Sequence, residues 1–335
     1  MSHRRGTLPG VTAVDLPPAA PATVLASDRV RVPVRLDRII RTDRARRGGV
    51  VRWDGRWMRR AEPGPAGPLV LAATADAGGT TLEVRGPVAT PAQTVEQALD
   101  DARGWVGLHD DVAAFGEVIA GDARLRRMAT LVGEVRLSRT PRVGEALGRS
   151  IVEQLVQSAE AARSVAQLVA CTTEAVAADL WAWPAARTVG ATPMWDLRRC
   201  GISGRGARAL HAAAVEDARL ERCRRDWTAL DRRLRALPGV GVWTSAETRV
   251  RLGDPDAVSV GDYNFPAMVG YALSGPDGDG PDGQWTDAGM LELLAPFAGQ
   301  RGRVIRLVGR AAARGMAPRR PRRAPRAALS AHRYW

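Results

Sequence analysis

Leu237-Pro-Gly-Val-Gly-Val-Trp-Thr244, followed by Gly261-Asp-Tyr263, is the stretch whose reading decides the fold. Trp227 to Ala236 carries helical spacing, and Leu237-Pro238 ends it. Trp243 to Leu252 opens a second helix. Between them Gly239 and Gly241 form a turn that can take positive φ and admit a ligand close to the backbone. The free N–H groups of the second helix then face that turn, as an anion site requires. Alone, this string reads sooner as an ordinary helix–turn–helix core. What changes its weight is Asp262, twenty-one positions after Gly241, across one helix and the loop Gly253 to Gly261. It stands at the start of a helix beginning at Tyr263, where Asp is a common N-cap. A capping carboxylate is aimed rigidly and kept ionised by the helix dipole, so the capping and chemical roles are compatible.

Composition fits an anionic partner. The 335 residues carry a net charge of +13 and 45% hydrophobic residues, enough chain for two or three modules. Nucleic acid is the first candidate and an acidic membrane the second. All 49 basic residues are arginine. Codon bias in a GC-rich genome is the plain explanation. The chemical consequence stands regardless: no lysine amine is present for a Schiff base or a P-loop. Arginine grips phosphate bidentately. Cys171, Cys200 and Cys223 fit no zinc spacing and fall one short of a four-cysteine cluster. Such sparse cysteines suit a reducing cytoplasm. No apolar leader or spanning run occurs, so a soluble, intracellular protein without a membrane partner is expected.

Along the chain, residues 1–28 read as a disordered lead-in and 29–90 as a small antiparallel β domain. Val30 to Leu36 alternates, Trp53-Asp-Gly-Arg-Trp57 is an Asp-Gly hairpin, and Gly78-Gly79 joins two further strands. Residues 91–315 read as mainly helical. Thr94 can cap a helix to Val106. Asp111–Ala120, a long helix over Val143–Ala170, and helices over Glu174–Trp183, Met194–Leu197, Gly204–Ala214, Tyr263–Ser274, Met290–Leu294 and Val304–Ala313 follow. Ser274 to Gln284 mimics a calcium loop but places Pro281 and Ala288 at ligand positions, so it reads as a surface loop. Residues 316–335 form an Arg/Pro-rich tail, either a weak anion binder or simply solvated. The fold class is α+β.

The hairpin with Asp262-Tyr263 resembles the helix–hairpin–helix (HhH-GPD) DNA glycosylase superfamily, and within it the bacterial DNA-3-methyladenine glycosylase II type. Ile151-Val-Glu-Gln-Leu-Val-Gln-Ser158, Gly201-Ile-Ser-Gly-Arg-Gly-Ala207 and Pro296-Phe297 before an Arg-rich helix resemble further family segments in the same order. The likeness spans roughly residues 29–315 and includes the leading β domain. It implies a two-lobed helical domain and a monomer acting on damaged bases in double-stranded DNA. Asp262 would be catalytic. Gly239, Gly241 and Thr244 would contact phosphate, and Leu155 would fill the gap left by an extruded base. Trp243 and Tyr263 would line the base pocket. No organic cofactor is implied. The carbonyls of Arg235, Leu237 and Gly239 could hold a structural Na+ or K+. Without lysine the implied enzyme is monofunctional, hydrolysing the N-glycosidic bond of alkylated bases in base excision repair. Glu247 departs from the aromatic often found there. It would either favour a cationic base or face solvent, and the solvent reading is preferred. The late pocket tryptophan has no clear counterpart, since Arg306-Leu307-Val308 occupies that region. The rival classes are a non-catalytic DNA-binding protein that kept the hairpin, and a glycosylase for deaminated or bulky lesions.

Overall fold

Alternating apolar residues build an N-terminal antiparallel sheet. Its strands are β1 (Thr23–Val30), β2 (Val51–Trp53), β3 (Met58–Glu62), β4 (Leu69–Asp76) and β5 (Gly79–Gly86), in the order β1-β5-β4-β3-β2. Residues 23–42, 49–177, 180–275 and 285–316 are described by the computed structural model. The two hairpin turns fall at the expected dipeptides. Asp54 Oδ1 accepts the N–H groups of Arg56 and Trp57 at 2.9 and 2.7 Å, an Asx turn. Gly79 takes φ +142°, and a Cβ there would strike the Val30 carbonyl. Met58, Leu71, Leu82 and Val84 pack on Ala98, Ala102 and Trp105 of α2 (Ala92–Trp105), after the short α1 (Leu36–Thr42).

The helices that follow are α3 (Val112–Val118), α4 (Ala123–Val132), α5 (Val143–Val152), α6 (Ser158–Thr172), α7 (Ala186–Ala191), α8 (Met194–Arg199) and α9 (Gly204–Arg222). Then come α10 (Trp227–Arg235), α11 (Val242–Arg251), α12 (Phe265–Ser274), α13 (Asp287–Leu294) and α14 (Arg301–Ala312). They divide between two cores. One gathers Leu147, Ile151, Leu168, Leu210, Leu230 and Leu237. The other gathers Leu125, Val269, Met290, Leu294, Val304 and Leu307. Helix α11 belongs to neither. Its Ala246 and Val250 pack with Ala257 in a small separate cluster, and its buried face is otherwise Thr244, Ser245 and Thr248. In this α+β arrangement the helix after the hairpin packs against α5 and α10, on the side of the first core.

A buried ion network joins sheet to helices. Arg60 on β3 binds Glu62 and Glu145 of α5, and Arg149 Nε lies 2.8 Å from Glu145 Oε1. Burial alone would raise the Glu145 carboxyl, but the two guanidiniums overcome it and hold it below the ordinary range. No helix among the described residues is long and apolar enough to cross a membrane.

Several sequence expectations are corrected. Strand β1 begins at Thr23, inside the stretch read as a lead-in, and Val30–Leu36 leads to α1 instead of forming a strand. Pro91, not Thr94, precedes α2. The pattern predicting one helix over 143–170 is broken at residues 153–157. Nothing in that segment is Gly or Pro, so no local stop signal exists. Glu174–Trp183 holds β6 (Ala175–Ala177) and β7 (Leu180–Trp181) in place of a helix. There Trp181 N–H donates to Gly49 O at 2.9 Å and Ala182 bridges Ala61, so pairing near the sheet overrides alanine's helix propensity. Helices α1, α4 and α7 were not expected. The loop reading of Ser274–Gln284 and the tail reading of 316–335 fall almost wholly outside the described residues, as do positions 1–22 of the lead-in read over 1–28.

Candidate functional site

Asp226 caps α10 by accepting Ala229 N–H at 2.9 Å, and the helix ends at a turn anchored by buried Leu237 and Val240. Gly239 takes φ +84° against Ala209 and Arg205 of α9, so a side chain there would be strained and crowded. Gly241 differs from expectation: its backbone is extended (φ −97°, ψ −173°), and it serves as N-cap of α11. Space beside its Cα is open. No side chain caps α11, so its first N–H groups are available to an anion. Arg205, exposed and beside Gly239, adds a guanidinium to the same spot.

The break between α5 and α6 faces this turn. Leu155 takes φ +59° and is 80% exposed, alone among described non-glycine residues in having positive φ. Left-handed backbone at a bulky residue is costly and is kept where surrounding structure enforces it. The residues before it supply that enforcement. Gln154 Nε2 donates to Gly239 O at 2.9 Å and to Thr244 Oγ1 at 2.8 Å. Glu153 Oε2 accepts from Arg251 Nη2 at 2.6 Å. Thr244 and Arg251 lie at opposite ends of α11, so the Leu155 turn is pinned to the helix at both ends.

Asp262 meets the first turn of α11. Its Oδ1 accepts Asn264 and Phe265 N–H at 2.8 and 3.2 Å, and Oδ2 lies 3.5 Å from Trp243 Nε1. It thus caps α12 from two residues before Asn264, the N-cap itself. Burial raises its pKa above the ordinary carboxylate value, and the nearby Glu247 charge adds to this. The two backbone donors and the indole oppose the shift. The expected depression by the helix is therefore outweighed. Gly261, at φ +87°, orients the segment by donating to both oxygens of Asp287 at 3.1 Å.

Two expected roles change. The Thr244 side chain is buried and its hydroxyl is committed to Gln154, so only its backbone N–H is offered outward. Glu247 does not face solvent. Its Oε2 lies 2.9 Å from Arg251 Nη1 and its Oε1 accepts the Ser259 hydroxyl at 2.7 Å. Burial works against the charge on Arg251, yet Glu153 and Glu247 hold its pKa above the usual arginine value. Trp243 and Tyr263 are both half-buried, the first in the opening turn of α11 and the second adjoining Asp262. The carbonyls of Leu237 and Gly239 already accept Val240 N–H and Gln154 Nε2. Each keeps a second lone pair. Among the described residues no cluster of His, Cys, Asp and Glu could hold a metal. A cavity of about 760 Å³ lies elsewhere, bounded by Asp101, Arg142, Trp183, Asp217 and Glu221, and contains neither the hairpin nor Asp262.

Gln154, Arg205 and Asp287 escape the sequence reading. Gln154 and Asp287 act on partners 85 and 26 residues distant, and no local spacing reports such contacts.

No family model and no curated protein matches this chain. Solved structures do. The 3-methyladenine DNA glycosylase of Archaeoglobus fulgidus aligns over 88% of this chain and 100% of its own, with a TM-score of 0.72 at 17% identity. The 8-oxoguanine glycosylase/lyase of Clostridium acetobutylicum, bound to double-stranded DNA with cytosine opposite 8-oxoguanine, aligns over 79% and 98%, with a TM-score of 0.58 at 12% identity. The Schizosaccharomyces pombe 3-methyladenine DNA glycosylase, in complex with abasic DNA, aligns over 59% and 95%, with a TM-score of 0.50 at 19% identity. The chain has the fold of the helix–hairpin–helix DNA glycosylases.

Proposed function

We propose that the protein is a monofunctional DNA glycosylase that hydrolyses the N-glycosidic bond of alkylated, 3-methyladenine-type bases in double-stranded DNA, within base excision repair. The observation that carries this reading is the contact of Asp262 Oδ2 with Trp243 Nε1, which ties one carboxylate to the first turn of the helix that follows the hairpin. A backbone clamp and a lone acid thereby share a frame. With the α11 N–H groups and Arg205 on a phosphate, Asp262 would face the sugar of an extruded nucleotide. As the C1′–N bond breaks, positive charge builds on the sugar, and the ionised carboxylate stabilises it. Water adds its oxygen to C1′ and gives its proton to the carboxylate or to solvent. An alkylated purine already carries positive charge and leaves as a neutral base, so no second acid is needed. The chain holds no lysine, which removes an ε-amine route to strand cleavage.

Leu155, exposed and left-handed, is the residue to fill the vacated stack. Trp243 and Tyr263 would stack on the extruded base. Glu247, with Asp262, would make the pocket negative and favour a cationic base. A monovalent cation on the Arg235, Leu237 and Gly239 carbonyls would bring positive charge to the phosphate. We take the enzyme to act as a monomer on cytoplasmic, nucleoid-associated DNA.

Methylated duplex DNA incubated with the protein should release 3-methyladenine and leave alkali-labile sites. Binding without alkali-labile sites would identify a DNA-binding protein that lacks catalysis. The Clostridium structure makes oxidised guanine the competing substrate. Release of 8-oxoguanine in preference to alkylated bases from a lesion panel would replace the alkylation reading.

A further inference from the structure

Gln154 is used by nothing in the chemistry above, yet its carboxamide makes two of the contacts on which the site's geometry rests. Nε2 bridges Gly239 O in the hairpin turn and Thr244 Oγ1 in the first turn of α11. The next residue in the chain is Leu155, left-handed and exposed. An exposed leucine gains nothing from its own packing, so a left-handed backbone there must be imposed by its neighbours. On one side Gln154 N–H donates to Ile151 O at 3.2 Å, and its side chain then reaches across to the hairpin. Thr244 is 3% exposed, so the hydroxyl has no water to replace this partner.

We infer that Gln154 is a positioning residue that locks the Leu155 wedge to the phosphate-binding hairpin, so that gripping the backbone and filling the stack occur as one motion on duplex DNA. This rests on the glycosylase reading. The physical gain is fixed distance. A wedge carried on an independent loop would enter the stack only when thermal motion brought it there. A wedge bonded to the clamp is placed whenever a phosphate is held.

Wedge insertion can be read without bond cleavage. A duplex carrying a tetrahydrofuran abasic analogue opposite 2-aminopurine gives a fluorescence rise when the stack is invaded. Wild-type protein should give that rise, and Leu155→Ala should abolish it. Gln154→Met, close in size but without donors, should lower the affinity of the invaded state about tenfold, because the wedge is no longer preorganised. Thr244→Val should give part of the loss. In base release from alkylated duplex, Gln154→Met combined with Leu155→Ala should be no slower than Leu155→Ala alone, because the glutamine acts through the leucine. Base release from a single-stranded alkylated oligonucleotide, which has no stack to fill, should fall less in Gln154→Met than release from duplex does. A wild-type rise that Gln154→Met leaves intact overturns the inference alone. So does additivity of the two substitutions, or an equal loss on single strands, each of which would mark a general support of the hairpin. Thermal melting identifies a misfolded variant, in which case Thr244→Val decides by the same readouts. No rise and no base release with wild-type protein would overturn the glycosylase reading, and this inference with it.

Discussion

Oδ2 of Asp262 lies 3.5 Å from Nε1 of Trp243, while Oδ1 of the same carboxylate holds the first N–H groups of α12. One oxygen therefore faces the hairpin helix and the other is tied to a helix of the second core. Asp262→Asn keeps the shape and an acceptor for both backbone donors but removes the charge. Base release from alkylated duplex should fall about 10²–10³-fold, the usual scale for losing one preorganised electrostatic group. DNA affinity should stay within about twofold, since no phosphate is assigned to this residue and the clamp is untouched. Release rates and an electrophoretic binding assay check both halves. Unchanged release removes Asp262 from the chemistry.

The direction of the Asp262 shift sets a pH dependence. Burial, aided by Glu247, raises its folded-state pKa. Under the proposed mechanism release uses the ionised form, so the acid limb of the rate profile should lie above that of an ordinary carboxylate. Glu247→Gln should move it to lower pH. For stability the sign is opposite to that of a salt-bridged acid. A raised folded-state pKa means a contribution fully present below the unfolded value and lost as pH rises through the folded one. At neutral pH the ionised Asp262 therefore costs stability, and Asp262→Asn should melt higher than wild type at pH 7, with the difference vanishing in acid. Equal melting at both pH values would mean the carboxyl is not desolvated.

The hairpin could be found in the sequence because its signals are local: a helix-ending proline, glycines, and a helical period on either side. The two β-hairpin turns were legible for the same reason. The helix break at residues 153–157 was not, because it depends on Glu153 and Gln154 reaching Arg251, Gly239 and Thr244, all at least 85 positions away. Glu247 was misjudged on similar grounds. Helical spacing places it four residues before Arg251, but only the fold brings in Ser259 and encloses the pair.

Leu155 offers a separation of stability from activity. Its side chain is 80% exposed and its backbone is left-handed. Leu155→Gly relieves the steric cost of that conformation, which is about 1 kcal/mol, and gives up little packing. The greater freedom of unfolded glycine offsets part of the gain. Denaturant unfolding should show a variant at least as stable as wild type, while base release from duplex DNA falls at least tenfold. Loss of stability together with activity would show that Leu155 is a packing residue.

The joint between sheet and helices should be fragile. Glu145 is 1% exposed and pairs with both Arg60, which also binds Glu62, and Arg149, themselves buried. Glu145→Gln leaves two guanidiniums without their shared carboxylate, at a cost of about 3 kcal/mol in urea unfolding. The wild-type contribution is lost as pH falls, since the folded-state pKa of Glu145 is depressed. The variant should therefore approach wild-type stability in acid. A cost below about 1 kcal/mol would mean that the network is replaceable by solvent.

Arg205 tests the clamp itself. It is exposed beside the left-handed Gly239, next to the uncapped start of α11. If it neutralises one phosphate, binding to undamaged duplex releases one further counterion, and the slope of log affinity against log salt carries about 0.9 for that contact. Arg205→Ala should weaken binding at low salt and reduce the magnitude of the slope by about 1. The loss should be the same on every sequence tested, because a phosphate contact reads no base. Base release at saturating enzyme should be unchanged, since the arginine touches neither sugar nor base. A weaker affinity with an unaltered slope would mean that Arg205 only supports the Gly239 turn, and the phosphate would then be held by the α11 amides alone.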